Sequence, residues 1–198
     1  MASALFKKTK VRRPSLKGKH PVRRAAALLA GVSVLYIVTS AVLAAAGAVP
    51  TAPVFFGLDV DNYYFWQMVF VLPLVFAVWV LASGVLLALA RKGCARSAVL
   101  AEAALAWGVP LFIAWVPSAV QAGFMALGMG QEEWVGILSE PGIWQAVYLG
   151  FFLSAGVWGV GDFIWAARNL HKRSWPAAVL TGAAAAAVAA GAYIAFIR

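Results

Sequence analysis

The sequence predicts an all-α fold: a polytopic integral membrane protein of five transmembrane helices, with a cytoplasmic N-terminus and an external C-terminus. Three observations carry that expectation. The chain of 198 residues is 64% hydrophobic and 12% charged, with a mean hydropathy of +0.86. Soluble domains are about 45–50% apolar and about 25% charged. Five apolar runs are each long enough to cross a hydrocarbon core of about 30 Å, which takes roughly 20 helical residues. The basic residues, finally, fall in alternate connections between those runs.

The first segment, residues 1–24, is a basic tail with Lys7, Lys8, Lys10, Arg12, Arg13, Lys17, Lys19, Arg23 and Arg24 and no acid. Polar and broken by proline, it is expected to be disordered until it meets anionic lipid head groups. The net charge of +9 is mostly this tail, so the basic balance points to a membrane surface and not to nucleic acid. The membrane domain follows at residues 25–198. Its first run, Ala25–Gly47, ends in AAAGAVP and resembles a signal peptide with a small-residue cleavage site. At 23 residues it exceeds the roughly 7–15 of a signal core, which favours an uncleaved anchor.

The second run, Phe65–Ala90, contains Pro73 and should kink there. The third apolar run, Ser97–Leu127, is longer than a span needs and holds Pro110 and Pro117. Proline removes a backbone donor and kinks or ends a helix. The span is therefore expected to finish near Pro117, with 118–127 bent away or lying in the interface. The fourth and fifth runs are Ile143–Ala167 and Pro176–Ile197. Between spans three and four, Trp134–Leu138 is a short amphipathic piece, read either as an interfacial segment or as ordinary loop.

Charge orients the five spans. Arg91, Lys92 and Arg96 follow span two, and Arg168, Lys172 and Arg173 follow span four. The other connections carry Asp59, Asp61, Glu132, Glu133 and Glu140 and no Lys or Arg; only the terminal Arg198 departs from the pattern. By the positive-inside rule the tail and the two basic connections are cytoplasmic. The Ala-rich composition points to a bacterial source, so the expected location is a bacterial inner membrane. Trp66, Trp144, Trp165 and Trp175 lie near span ends and read as interface anchors.

Two acids break the apolar pattern. Glu102 lies one to two turns past Arg96 and Asp162 a similar distance before Arg168, so both are expected near the cytoplasmic boundary at similar depth. Ionisable groups inside a bilayer are costly and usually face the bundle or a wet cavity. Together they form a candidate polar site for a cation, a proton or a basic partner segment. The plainer reading is structural pairing with a snorkelling Arg91, Lys92, Arg96 or Arg168. In span five Gly182, Ala186 and Ala190 recur every four residues and form a candidate helix-packing face, within the bundle or between copies in a homo-oligomer.

Other chemistry is thinly represented. Cys94 is the only cysteine, which excludes an internal disulfide or a multi-cysteine metal site. Asp59 and Asp61 are two apart, but two acids without the rest of a calcium loop are weak evidence for calcium. There is no HExxH, P-loop or GxSxG pattern, and neither His20 nor His171 lies in an apolar run to activate Ser83 or Ser154. The expectation is a non-enzymatic protein without cofactor or metal.

Four stretches carry a family resemblance: YYFWQMVFVLPLVFAVW, the basic turn KGCARS, AEAALAWGVPLFIAWVP, and IWAARNLHKRSWPAAVL leading into a small-residue span. Together they resemble the bacterial branch of the Yip family of five-span membrane proteins, over roughly residues 25–198. The eukaryotic members interact with Rab GTPases in the secretory pathway. The turn here carries Lys92, Cys94 and Arg96 where more glycine is expected, and the basic tail lacks the acidic character of the eukaryotic N-termini. The resemblance implies a membrane adaptor or organiser acting on lipids or on membrane protein partners. The alternative is a small transporter or channel subunit using Glu102 and Asp162.

Overall fold

A backbone amide left unpaired in hydrocarbon costs several kcal/mol, by about the price of a lost hydrogen bond or more, so apolar runs of this length must be helical. The computed structural model describes residues 20–50, 60–90, 94–172 and 174–197. These form α1 (Pro21–Ala45), a 3-10 turn (Val60–Asn62), α2 (Tyr63–Ala88), α3 (Arg96–Ala126), α4 (Gln131–Ser139), α5 (Ile143–His171) and α6 (Trp175–Ile197). All but α4 and the short turn are long and apolar enough to cross a membrane, which makes five such helices among the described residues. The chain is therefore an all-helical, multi-pass membrane protein in its architecture.

The long helices close a ring in the order α1, α3, α5, α6, α2, and α2 also touches α3 across the middle. Side-chain contacts fix the directions. Ser40 near the end of α1 meets Gln67 near the start of α2, so these two are antiparallel. Leu28 and Leu29 lie against Gly108 and Thr39 against Trp115, so α1 and α3 are parallel. One end of the bundle thus gathers the starts of α1, α3 and α6 and the ends of α2 and α5. Arg23, Arg24, Arg96, Arg168 and Lys172 belong to that basic end. The core between the helices is filled by Leu29, Val75, Val78, Val99, Phe163 and Ala185, among others.

Several expected boundaries shift. Pro21 takes the first position of α1, where its missing N–H costs nothing and its fixed φ suits the helix. Arg23 and Arg24 are therefore helical and do not belong to the tail; residues 1–19 lie outside the described ones. Helix α3 does not finish at Pro117. It runs unbroken through Pro110 and Pro117 to Ala126, with both prolines buried. Burial among neighbouring helices lets a transmembrane helix keep its course past a proline. The stop comes at Gly128, whose φ of +99° places it in the left-handed region that glycine enters freely. There Met129 N–H reaches Phe124 O at 3.1 Å and Gly128 N–H reaches Met125 O at 3.0 Å, the paired bonds of a Schellman ending. Gly47 ends α1 in the same way, with φ +67° and the Ala48 N–H on Leu43 O at 2.9 Å.

At its 31 residues α3 is about 46 Å long, more than the hydrocarbon core. Its last turns are covered at the end opposite the basic one. The Trp134–Leu138 piece is the middle of helix α4, and its tryptophan points inward at 2% exposure, beside Phe124 and Tyr148. Gln131 Nε2 donates to Val49 O at 3.0 Å and ties α4 to the connection after α1. The four expected anchors, Trp66, Trp144, Trp165 and Trp175, are all exposed near helix ends.

The small-residue face of α6 is an intramolecular seam, with one change of register. Gly182 and Ala186 are buried, whereas Ala190 is exposed and Ala189 takes the inward place. A strict four-residue repeat drifts by about 40° per step against a helix of 3.6 residues per turn. The face therefore continues through Ala185 and Ala189. A Cβ built on Gly182 would run into the Ile164 backbone and lie 2.7 Å from the Phe163 carbonyl carbon. Gly182→Ala should cost about 1–3 kcal/mol by forcing α5 and α6 apart. Gly191→Ala, where nothing lies within 4 Å, should be neutral or stabilising. Thermal unfolding of the two variants in detergent tests this; equal melting temperatures would refute the close seam.

Candidate functional site

The depth of the two acids follows from the α3–α5 seam. Gly159 has no side chain, and the ring of Pro110 fills the space where its Cβ would stand, 3.3 Å away, with Ala106 O at 4.0 Å. The helices are antiparallel. One turn from Ala106 towards the basic end is Glu102, and one turn from Gly159 in the same direction are Asp162 and Phe163. The two acids are therefore level to within about one helical turn. Both are half-buried.

Their surroundings differ. Phe163 turns into the core at 2% exposure, while Asp162 lies roughly 60° round the helix from Gly159 on the other side. There its Oδ2 accepts the indole N–H of Trp158 at 2.8 Å. Trp158 is one turn earlier on α5 and 53% exposed, so this bond lies on the outward flank of the bundle. Glu102 lies on α3, the helix with the most buried span, and both acids make further interactions.

The expected cationic partners are Arg91, Lys92, Arg96 and Arg168. Arg91 and Lys92 lie outside the described residues. Arg96 opens α3 and is exposed. Arg168 is half-buried, with its guanidinium carbon 5.3 Å from the ring centroid of Trp175. Asp59 also lies outside the described residues, and Asp61 is exposed in the 3-10 turn. No group of three or more His, Cys, Asp or Glu able to hold a metal occurs among the described residues. Cys94 is a half-buried free thiol whose Sγ lies 3.6 Å from Leu170 O, which brings the connection after α2 to the end of α5.

Sequence reasoning did not single out the polar stripe on α1. Tyr36 Oη donates to Leu111 O at 3.1 Å, Trp115 Nε1 to Thr39 Oγ1 at 2.8 Å and Ser40 Oγ to Gln67 Oε1 at 2.8 Å. The signal was present as Ser33, Tyr36, Thr39 and Ser40 at helical spacing in an otherwise apolar run. Trp158 was missed as the partner of Asp162, although the two stand at i and i+4. No family model, curated protein or solved structure matches the chain.

The Trp158–Asp162 bond gives a direct test. Trp158→Phe removes the donor and should lower stability by about 0.5–1.5 kcal/mol. Asp162→Asn keeps an acceptor oxygen and should change it little. A loss in thermal unfolding for Asp162→Asn with none for Trp158→Phe would mean that the charge of Asp162, and not the indole bond, is what the fold uses.

Proposed function

We propose that the protein is a non-enzymatic, Yip-like integral membrane protein of a bacterial inner membrane, acting as an adaptor or organiser on lipids or on partner proteins. The observation that best supports this is the packed centre of the bundle. Leu29 from α1, Val75 and Val78 from α2, Ala103 and Ala104 from α3, Phe163 from α5 and Ala185 from α6 all meet there and are buried. A carrier or channel would need polar groups converging on a path, and Asp162 accepts a bond from a tryptophan of its own helix on the outer flank. The exposed faces of α5 and α6, with Leu153 and Leu180 both more than 70% exposed, suit contact with lipid. Helix α1 hydrogen-bonds to both α2 and α3, which favours its retention as an anchor.

The second reading, a small transporter or channel subunit, is kept by one observation: Glu102 and Asp162 are level across the α3–α5 seam. The two readings separate in a flux assay. In proteoliposomes the wild-type protein should show no proton or cation flux above protein-free vesicles. A flux abolished by Glu102→Gln and Asp162→Asn in a folded variant would overturn the adaptor reading.

The orientation is read from the basic end of the bundle, which the positive-inside rule assigns to the cytoplasm. A cytoplasm-active fluorescent reporter fused after Arg198 should stay dark, and a periplasm-active phosphatase at the same point should be active. The reverse pattern would invert the topology.

A further inference from the structure

At the basic end, the last turns of α5 and the start of α6 form an open groove of about 360 Å³ lined by Trp165, Arg168, Asn169, Lys172 and Trp175. Two cations one turn apart lie between two exposed indoles, and an exposed amide, Asn169, adds a donor. Arg168 lies over the Trp175 ring at 5.3 Å. A cation–π contact of this kind restrains the side chain at the mouth of the groove. Lys172 is exposed and caps α5 in the left-handed region, at φ +45°; it lines the same groove as Trp175, the first residue of α6. Amides in the first turn of a helix lack intrahelical acceptors and favour negative charge.

Towards the middle of the bundle the wall becomes apolar apart from the Asp162 carboxylate, which accepts the Trp158 indole N–H. Leu180 is 73% exposed and Val179 44% exposed on α6, with Val157 and Trp158 exposed on α5. A ligand lying there would have a negatively charged head at Arg168 and Lys172 and hydrocarbon running along Val179 and Leu180. We propose that this groove is a binding site for the headgroup of an anionic phospholipid in the cytoplasmic leaflet. Basic pockets between helices at that boundary are suited to acidic head groups, and indoles favour the same depth. A free phosphate would use the cations but leave the indoles and the apolar wall without a role. The inference rests on the proposed orientation, and it narrows the lipid-acting reading to one site, separate from the basic tail.

The test is lipid binding to the full chain in detergent, read by native mass spectrometry with phosphatidylglycerol and, in parallel, phosphatidylcholine. Phosphatidylglycerol should bind preferentially. Lys172→Asn removes a charge without adding strain, because asparagine tolerates a left-handed backbone; it should weaken binding several-fold. Combined with Arg168→Gln it should weaken binding on the order of tenfold, while Arg168→Lys should restore part of the loss. Neutralising Lys7, Lys8 and Lys10 in the tail should leave this binding in place. Affinity within twofold of wild type in the double variant, equal binding of phosphatidylcholine, or displacement by millimolar inorganic phosphate would each overturn the proposal, the last by marking a small-anion site. Ion flux with intact lipid binding would sink only the adaptor reading, and loss of lipid selectivity without flux would sink only this one.

Discussion

A polar group inside hydrocarbon has to find its partner within the protein, and in this fold three interhelical bonds of that kind pass through α1. Apolar surface gains little by moving from lipid to another helix, so close packing and interhelical hydrogen bonds have to hold such a bundle together. Tyr36, Thr39 and Ser40 bond α1 to α3 on one side and to α2 on the other. Trp79 adds a bond from α2 to Leu100 O at 2.8 Å, and so closes the triangle of α1, α2 and α3. Each such bond contributes about 0.6 kcal/mol on average and up to about 1.7. Their larger effect is on register: a slide of α1 by one turn would leave several of these groups unpaired at once.

Where hydrogen bonds are scarce, the helices are held by close approach. α6 has almost no polar side chain to offer, and it meets α5 through Gly182, backbone to backbone. Gly108 admits Leu28 and Leu29 of α1, and Gly159 admits the ring of Pro110. Pro110, which looks like a helix breaker, is thus accommodated as a packing element. The result is graded across the bundle: half of the most apolar window of α3 is buried against 11% of that of α5. α5 is the helix that faces outward, and it carries both Asp162 and the basic groove.

That placement changes how the intramembrane acids are weighed. Similar depth alone would suggest a shared polar site. The angular position of Asp162, on the flank with Trp158, argues for a carboxylate accommodated locally at the edge of the hydrocarbon, where desolvation is less costly than at its centre.

The sequence by itself determined the class, the number of spans and the grouping of charge at one end, because length, hydropathy and basic residues act locally and need no partner. It also contained Gly128 and Gly47 as helix stops, but the prolines at 110 and 117 looked like stronger signals. Whether a proline ends a helix depends on what surrounds it, and that is a tertiary fact. The same holds for the face of α6, where a four-residue repeat read along the chain drifts away from the contact and Ala189 replaces Ala190. The ring order of the helices and the groove between α5 and α6 were decided by tertiary structure alone. Each depends on which side of a helix meets a neighbour, and five nearly all-apolar helices carry little polar asymmetry from which to read that side.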